Sequence, residues 1–187
     1  MLADLQQALD IALAERIFSR DGSPLEAVVA HELLQHHATI AAAESCTGGL
    51  LAERLTNIAG SSAYFLGSVV CYSNELKSAW ADVPAELIAT KGAVSSEVAV
   101  ALAQGIRGRA GSTLGVGITG IAGPGGGTEE KPVGTVHLAV AGPAGVHERA
   151  VRFIGDRDMV RMQASQAALD MVRLHFLYNG QAPPVRS

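Results

Sequence analysis

Aromatic side chains are scarce in this chain: four Phe, three Tyr and one Trp supply 4% of its 187 residues. That scarcity argues against a stacking platform for unpaired bases. It also leaves the core to Ala, Val, Leu and Ile. Dense Lys/Arg runs are missing too, and the net charge is −4, which disfavours general binding to a phosphate backbone. There are only two cysteines, Cys46 and Cys71. Two thiols make neither a zinc site by themselves nor a disulfide framework. No apolar run reaches membrane-spanning length. The N-terminal stretch MLADLQQALDIALAERIF carries acids early and lacks a basic start, so it does not read as a signal or transit peptide. The expected compartment is the cytoplasm, with reduced thiols. What is present is apolar bulk: 48% hydrophobic against 17% charged residues, which argues against global disorder. A domain this long buries roughly 70% of its unfolded surface and needs no staple.

Apolar residues at helical spacing from Leu5 to Phe18 predict a first helix. The segment 19–24 ends it, with Ser23 a candidate cap and Pro24 a candidate first position for a helix running to about His36. Ala38–Ala43 reads as a buried strand, Leu50–Ile58 as a helix and Ala63–Tyr72 as a strand. A short helix over Asn74–Trp80 carries Lys77, and Pro84 opens a turn. Ser95 is an N-cap candidate for a helix to about Arg109. Thr113–Ile118 reads as a strand, 120–134 as a glycine-rich loop, and 133–153 as a hairpin around Gly142-Pro143-Ala144-Gly145. Asp156–Leu177 is the last helix, followed by a polar tail at 181–187. Helices between early strands and a late hairpin predict an α/β fold, a three-layer α/β/α sandwich with a mixed sheet. The expected division is a helical extension over 1–22, a domain over 23–180 and the tail. The extra helix has an apolar stripe to bury, and two-fold pairing into a homodimer is the simplest way to bury it.

Four segments can carry chemistry. Glu44-Ser45-Cys46-Thr47-Gly48-Gly49 lies where a strand gives way to a helix, the usual ligand crevice of an α/β sheet. Free N–H groups at the helix start favour anions, and a hydroxyl beside them can be a nucleophile next to an oxyanion hole. Equally, Ser45 or Thr47 can be an ordinary helix cap. In Tyr72-Ser73-Asn74-Glu75-Leu76-Lys77, the lysine can be a general base if its pKa is lowered, or a solvated helix lysine paired with a carboxylate. The stretch from Gly117 to Gly127 contains Thr119, Gly120 and Gly123. Its backbone amides can wrap a phosphate or sugar, or it can be a plain connector. It is neither a P-loop nor a dinucleotide fingerprint. Arg157 and Arg161 are four apart on the last helix, placed to hold a phosphate or to pair with Asp156 and Asp158. His31 and His36 imitate the HExxH zinc motif with one residue too many. At 100° per residue they stand about 140° apart, and no metal site is expected.

Taken together, these segments resemble the CinA C-terminal domain family. The match runs through Ala43-Glu44-Ser45-Cys46-Thr47-Gly48-Gly49-Leu50, Gly60-Ser61-Ser62, Tyr72–Lys77, Gly92-Ala93-Val94-Ser95 and Gly117–Gly126. Pro132-Val133-Gly134-Thr135-Val136 and Gly155-Asp156-Arg157 extend it, so that it covers about residues 25–178. The resemblance implies an amidohydrolase that converts nicotinamide mononucleotide to nicotinic acid mononucleotide and ammonia, in pyridine nucleotide recycling. It implies a serine–lysine mechanism without metal or cofactor. Carried onto this chain, Ser45 is the nucleophile, Lys77 its base and Tyr72 a supporting proton relay. Glu44 and Thr119 line the site with Thr47, Gly48, Gly49, Gly120 and Gly123, and Arg157 or Arg161 holds the phosphate. Longer members carry an N-terminal nucleotide-processing domain, for which 187 residues leave no room, so the resemblance is to the stand-alone form. The expected partner is the small nucleotide substrate, with neither nucleic acid nor membrane. The rival reading is a non-catalytic nucleotide-binding protein acting through partners in competence or DNA damage response.

One choice stays open on chemistry alone. Ser45 and Cys46 are adjacent, and a thiolate is the better nucleophile. Neighbours on extended chain point to opposite faces, so one of the two faces a crevice. A buried cysteine is often a plain hydrophobe, and the resemblance favours Ser45.

Overall fold

The computed structural model describes residues 16–181, with Leu5 and Leu13 ahead of them. The helix expected over 5–18, the dimer argument built on it and most of the polar tail lie outside the described residues. Five strands form one sheet in the order β2-β1-β3-β4-β5. They are β1 (Ile40–Glu44), β2 (Phe65–Val70), β3 (Leu114–Gly120), β4 (Thr135–Gly142) and β5 (Gly145–Arg152). The first three run parallel, and β4 and β5 are antiparallel additions. Among residues 16–181 six α-helices cover the sheet: α1 (Leu25–Gln35), α2 (Leu50–Thr56), α3 (Asn74–Ala81), α4 (Ala85–Lys91), α5 (Ser96–Ala110) and α6 (Arg157–Leu177).

The chain leaves β1 toward β2 on one side, then returns past β1 to β3 on the other. Right-handed crossovers therefore place α2 on one face and α3, α4 and α5 on the opposite one. Alternation along β1 serves both layers. Ile40 and Ala42 pack with Leu51, Leu55, Val160 and Leu169 beneath α1, α2 and α6. Ala41 and Ala43 pack with Val98, Leu102 and Ile106 under α5. This is the predicted three-layer sandwich, and the reversal between β1 and β3 is where such folds open a ligand crevice.

Small residues let α5 lie very close to the sheet. A methyl group on Gly115 would stand 2.1 Å from the Ala103 carbonyl oxygen, and one on Gly117 would stand 2.2 Å from that of Ala99. With Ala139 and Ala141 completing this contact, the scarcity of aromatics becomes a packing requirement. There is no room for larger groups between helix and sheet.

Most local expectations hold within two residues. Ser95 caps α5 by accepting from Val98 N at 3.3 Å, and Asp156 caps α6 by accepting from Met159 N at 2.9 Å. Ser23 does not cap α1. Its own N–H donates to Asp21, and Pro24 stands as the cap residue with extended ψ, so the helix begins at Leu25, one residue later than predicted. Buried Arg54 on α2 locks the layer that carries α6. It donates to Ser165 Oγ (2.9 Å), Gln166 Oε1 (2.6 Å) and Glu26 Oε2 (2.8 Å). Breaking such a buried charged group costs about 3–5 kcal/mol, so α6 is held firmly against the β1–α2 turn. Among the described residues no helix is long and apolar enough to cross a membrane.

Candidate active site

β1 ends at Glu44, and its extended direction is carried one residue further when Ser45 N donates to Ile118 O of β3 at 3.0 Å. The chain then turns sharply, with Gly48 N donating to Ser45 O at 3.1 Å. Gly48 and Gly49 have φ of 62° and 95°, a region that side chains with a Cβ enter at a cost. This turn sets Ser45 at the C-terminal edge of the sheet, 8% exposed.

Lys77 comes to it from α3. Ser73 caps that helix by accepting from Leu76 N, and Lys77 one turn in points back beneath the strand ends, 2% exposed. Its Nζ lies 3.3 Å from Ser45 Oγ, 3.1 Å from Cys71 O and 3.3 Å from Tyr72 O. No carboxylate pairs with it among the described residues, so the solvated-lysine reading does not apply. Burial pushes its pKa down from the ordinary lysine value, against smaller upward pulls led by Cys71. A neutral amine has two N–H groups and one lone pair. In that neutral form, with both N–H groups donated to the Cys71 and Tyr72 carbonyls, the lone pair is the one left for Ser45 Oγ.

Cys46 faces the other way. It is 5% exposed and packs in the core beneath α2 and α6 with Leu51 and Ala122. Burial pushes its thiol up to about 12. A thiol at that value is protonated at neutral pH and is a poor nucleophile.

Glu44 is expected to line the substrate site; the structure places its carboxylate beneath α2. Its side chain is fully buried and turns under α2. The carboxylate accepts from Gly49 N (3.1 Å), Leu51 N (3.1 Å), Ala52 N (3.0 Å) and Ser68 Oγ (3.1 Å). A negative charge at a helix start complements the helix dipole, so Glu44 occupies the anion position that a substrate would need. The free N–H groups near Ser45 are instead those of Cys46 and Thr47, which donate to no described protein acceptor. Neither Ser45 nor Thr47 caps α2, whose cap residue is Gly49 without a side-chain bond.

The remaining expected residues divide by what holds them. Thr119 is 1% exposed and donates its hydroxyl to Ala93 O at 2.7 Å, which makes it a brace under the site rather than a free ligand. Thr47 is buried with an unpartnered hydroxyl, and its carbonyl accepts from Arg161 Nε (3.3 Å) and Nη2 (3.0 Å). Asp158 lies 3.6 Å from Arg161 Nη1. Arg161 thus grips the turn that follows Ser45. Arg157 differs: it is exposed and spans the crevice, donating from Nη1 to Gly123 O at 2.9 Å and from Nη2 to the Tyr72 hydroxyl at 3.1 Å. Those neutral acceptors can be exchanged for an anion, which binds guanidinium more strongly. Gly120 is the last residue of β3, paired with Val136, and Gly123 opens the loop with φ of 84°. Sequence reading missed the Cys71 and Tyr72 carbonyls, because a backbone acceptor leaves no mark on residue identity.

The site is narrow. A hollow of about 670 Å³ lies elsewhere, against α1, lined by Phe18, Asp21, Ala27 and His31. The buried Lys77 beside the Ser45 hydroxyl lies apart from that hollow, at the end of β1. Among the described residues no group of three or more His, Cys, Asp or Glu side chains is arranged to hold a metal ion.

Known proteins share this architecture. The model of the CinA C-terminal domain matches residues 22–176. A CinA-like protein of Koribacter versatilis is 56% identical over 173 residues, covering 92% of this chain and 41% of that protein. This chain therefore spans about two fifths of the length of such relatives. The crystal structure of a competence/damage inducible protein, CihA, from Agrobacterium tumefaciens superposes with a TM-score of 0.80 at 38% identity, covering 86% of this chain and 98% of that one. A CinA superfamily protein from Klebsiella pneumoniae superposes with the same score at 34% identity, covering 82% and 96%. The family model over residues 22–176, the sequence identity and the structural superposition together make this chain a member of the CinA C-terminal domain family.

Proposed function

We propose that the chain is a serine–lysine amidohydrolase acting on the carboxamide of nicotinamide mononucleotide, with residues 23–180 as its catalytic domain. The observation that carries this reading is the buried Lys77 Nζ at 3.3 Å from Ser45 Oγ. A lysine without a carboxylate, its amine aimed at a hydroxyl, has the form of a base for a nucleophile. In this reading Ser45 Oγ attacks the carboxamide carbon and its proton passes to Lys77. The Cys46 and Thr47 N–H groups stabilise the tetrahedral oxyanion. Lys77 returns the proton to the leaving nitrogen, and ammonia departs from an ester on Ser45. Water, with Lys77 again as base, then releases the carboxylate and restores the hydroxyl. Tyr72, already accepting from Arg157, has its own O–H free to donate toward substrate. Arg157 moves from Gly123 and Tyr72 onto the 5′-phosphate.

The reading also rests on the sequence resemblance, which names the substrate class. The test is direct: purified protein is incubated with nicotinamide mononucleotide, nicotinamide riboside and nicotinamide, and ammonia is measured. Release from the mononucleotide in preference to the other two is expected. Binding of the mononucleotide without ammonia release would instead establish a non-catalytic nucleotide binder.

A further inference from the structure

The motif Gly92-Ala93-Val94-Ser95 has no part in the chemistry above, yet three separate contacts converge on the turn it forms between α4 and α5. Thr119, at the end of β3, donates to Ala93 O at 2.7 Å. Ser96, just past the motif, has its hydroxyl 3.0 Å from His137 Nδ1 on β4. The third contact comes from the glycine-rich loop. Lys131 Nζ donates to Val94 O at 2.8 Å and to Lys91 O at 3.0 Å. Lys91 is the last residue of α4, so the ammonium sits on the negative end of a helix dipole. Gly92 makes room for it. Its φ is 78°, and a Cβ there would lie 3.3 Å from Lys131 Nζ.

The loop from Gly120 to Gly134 is otherwise held at its base and across its mouth. Ile121 N donates to Thr135 O and Gly134 N to Ile121 O, both at 2.8 Å. A small turn closes its far limb, where Thr128 N donates to Lys131 O at 2.9 Å and Lys131 N to Thr128 Oγ1 at 3.0 Å. On the crevice side the tether is Arg157, through Gly123 O. That contact is given up whenever Arg157 turns to an anion. The far limb then depends on Lys131.

We propose that Lys131 is a positioning residue: it pins the far limb of the glycine-rich loop to the α4–α5 turn, so that the loop keeps its place at the edge of the crevice that Arg157 spans after Arg157 is drawn onto a bound phosphate. The kinetic part rests on the amidase reading; the tether itself does not. Lys131 touches neither Ser45 nor Lys77 in the described contacts, so its loss acts on substrate capture rather than on proton transfer.

Two measurements on the intact chain test this. In hydrogen exchange, Lys131→Met should speed exchange at the Thr128 and Lys131 amides and leave β1 and α2 unchanged. Lys131→Arg, which keeps a cation able to reach both carbonyls, should restore most of the protection. In ammonia-release kinetics, Lys131→Met should raise KM for nicotinamide mononucleotide about tenfold with kcat within about threefold, since misplacing a positioning element costs at least that much. Unchanged exchange at Thr128 and Lys131 in Lys131→Met would overturn the tether. Altered exchange with KM unchanged, or with kcat falling instead, would overturn the positioning role. Wild-type protein that releases no ammonia would defeat the amidase reading alone. The exchange data would then stand by themselves, and binding of the mononucleotide to the two variants would replace KM.

Discussion

Lys77 Nζ lies 3.3 Å from Ser45 Oγ across a sequence separation of 32 residues, and both groups are buried. Neither approaches the other through its own element. Ser45 is delivered by the last hydrogen bond between β1 and β3, and Lys77 by a helix capped at Ser73. The pair exists because two strand ends and one helix start meet at the point where the sheet reverses its order.

The nucleophile is the first test of this geometry. Ser45→Ala should abolish ammonia release while the circular dichroism spectrum and unfolding midpoint stay near wild type. Cys46→Ala should keep most activity, because burial holds that thiol protonated at about 12. Thiol alkylation of the native protein should be slow for the same reason. A folded but inactive Cys46→Ala beside an active Ser45→Ala would reverse the assignment.

The two arginines separate by substrate. Arg157→Ala should weaken use of nicotinamide mononucleotide by roughly 10- to 150-fold, the loss of one charged hydrogen bond of about 1.5–3 kcal/mol, and barely affect nicotinamide riboside. Arg161→Ala should impair both substrates alike, since Arg161 grips the Thr47 carbonyl rather than an anion. Kinetics on the two substrates in parallel decide it. A phosphate-selective loss in Arg161→Ala would exchange the roles.

Activity and stability should both follow the Lys77 proton. Burial lowers its pKa, so the fraction of neutral base, and with it kcat/KM, rises with pH and levels off below the usual lysine range. For stability, the unfolded chain holds this proton more tightly than the folded one. Between the lowered pKa and the ordinary value the unfolded state therefore binds more protons, and stability rises with pH. Urea midpoints of wild type and Lys77→Met, taken at about pH 7 and about pH 9.5, should shift in favour of wild type at the higher pH. A difference independent of pH would mean that the lysine titrates as an exposed one does.

Glu44 should matter to the fold more than to the chemistry. Glu44→Gln puts an amide donor among one hydroxyl and three N–H groups that now point at a carboxylate. Unsatisfied buried donors cost about 1–3 kcal/mol each. The unfolding free energy should drop by on the order of 3 kcal/mol, with substrate KM little changed once the protein is folded. A stable variant with a greatly raised KM would return Glu44 to the substrate site.

How much of this was legible beforehand depended on the kind of signal. The apolar run of β1, Ser95 as a cap and the turn Gly142-Pro143-Ala144-Gly145 are local, and local chemistry determines them: burial of a short strand, free N–H groups at a helix start and turn geometry. From these the sequence by itself determined the order of the strands, every described α-helix but α4, which reads only as a turn after Pro84, and the three-layer class; the short list of Ser45, Lys77 and the two arginines came from the chemistry-bearing segments and their family resemblance. The tertiary structure alone decided how that list is spent. Glu44 and Ser45 are neighbours, yet one faces α2 and the other the crevice, because alternate residues at a strand end belong to different layers. Arg157 and Arg161 share a helix face, yet one meets the Gly123 carbonyl of the loop and the other the turn behind Ser45. Such assignments depend on which acceptors, many of them backbone carbonyls, the packing of distant segments brings within 3 Å or so, and no residue code carries that information.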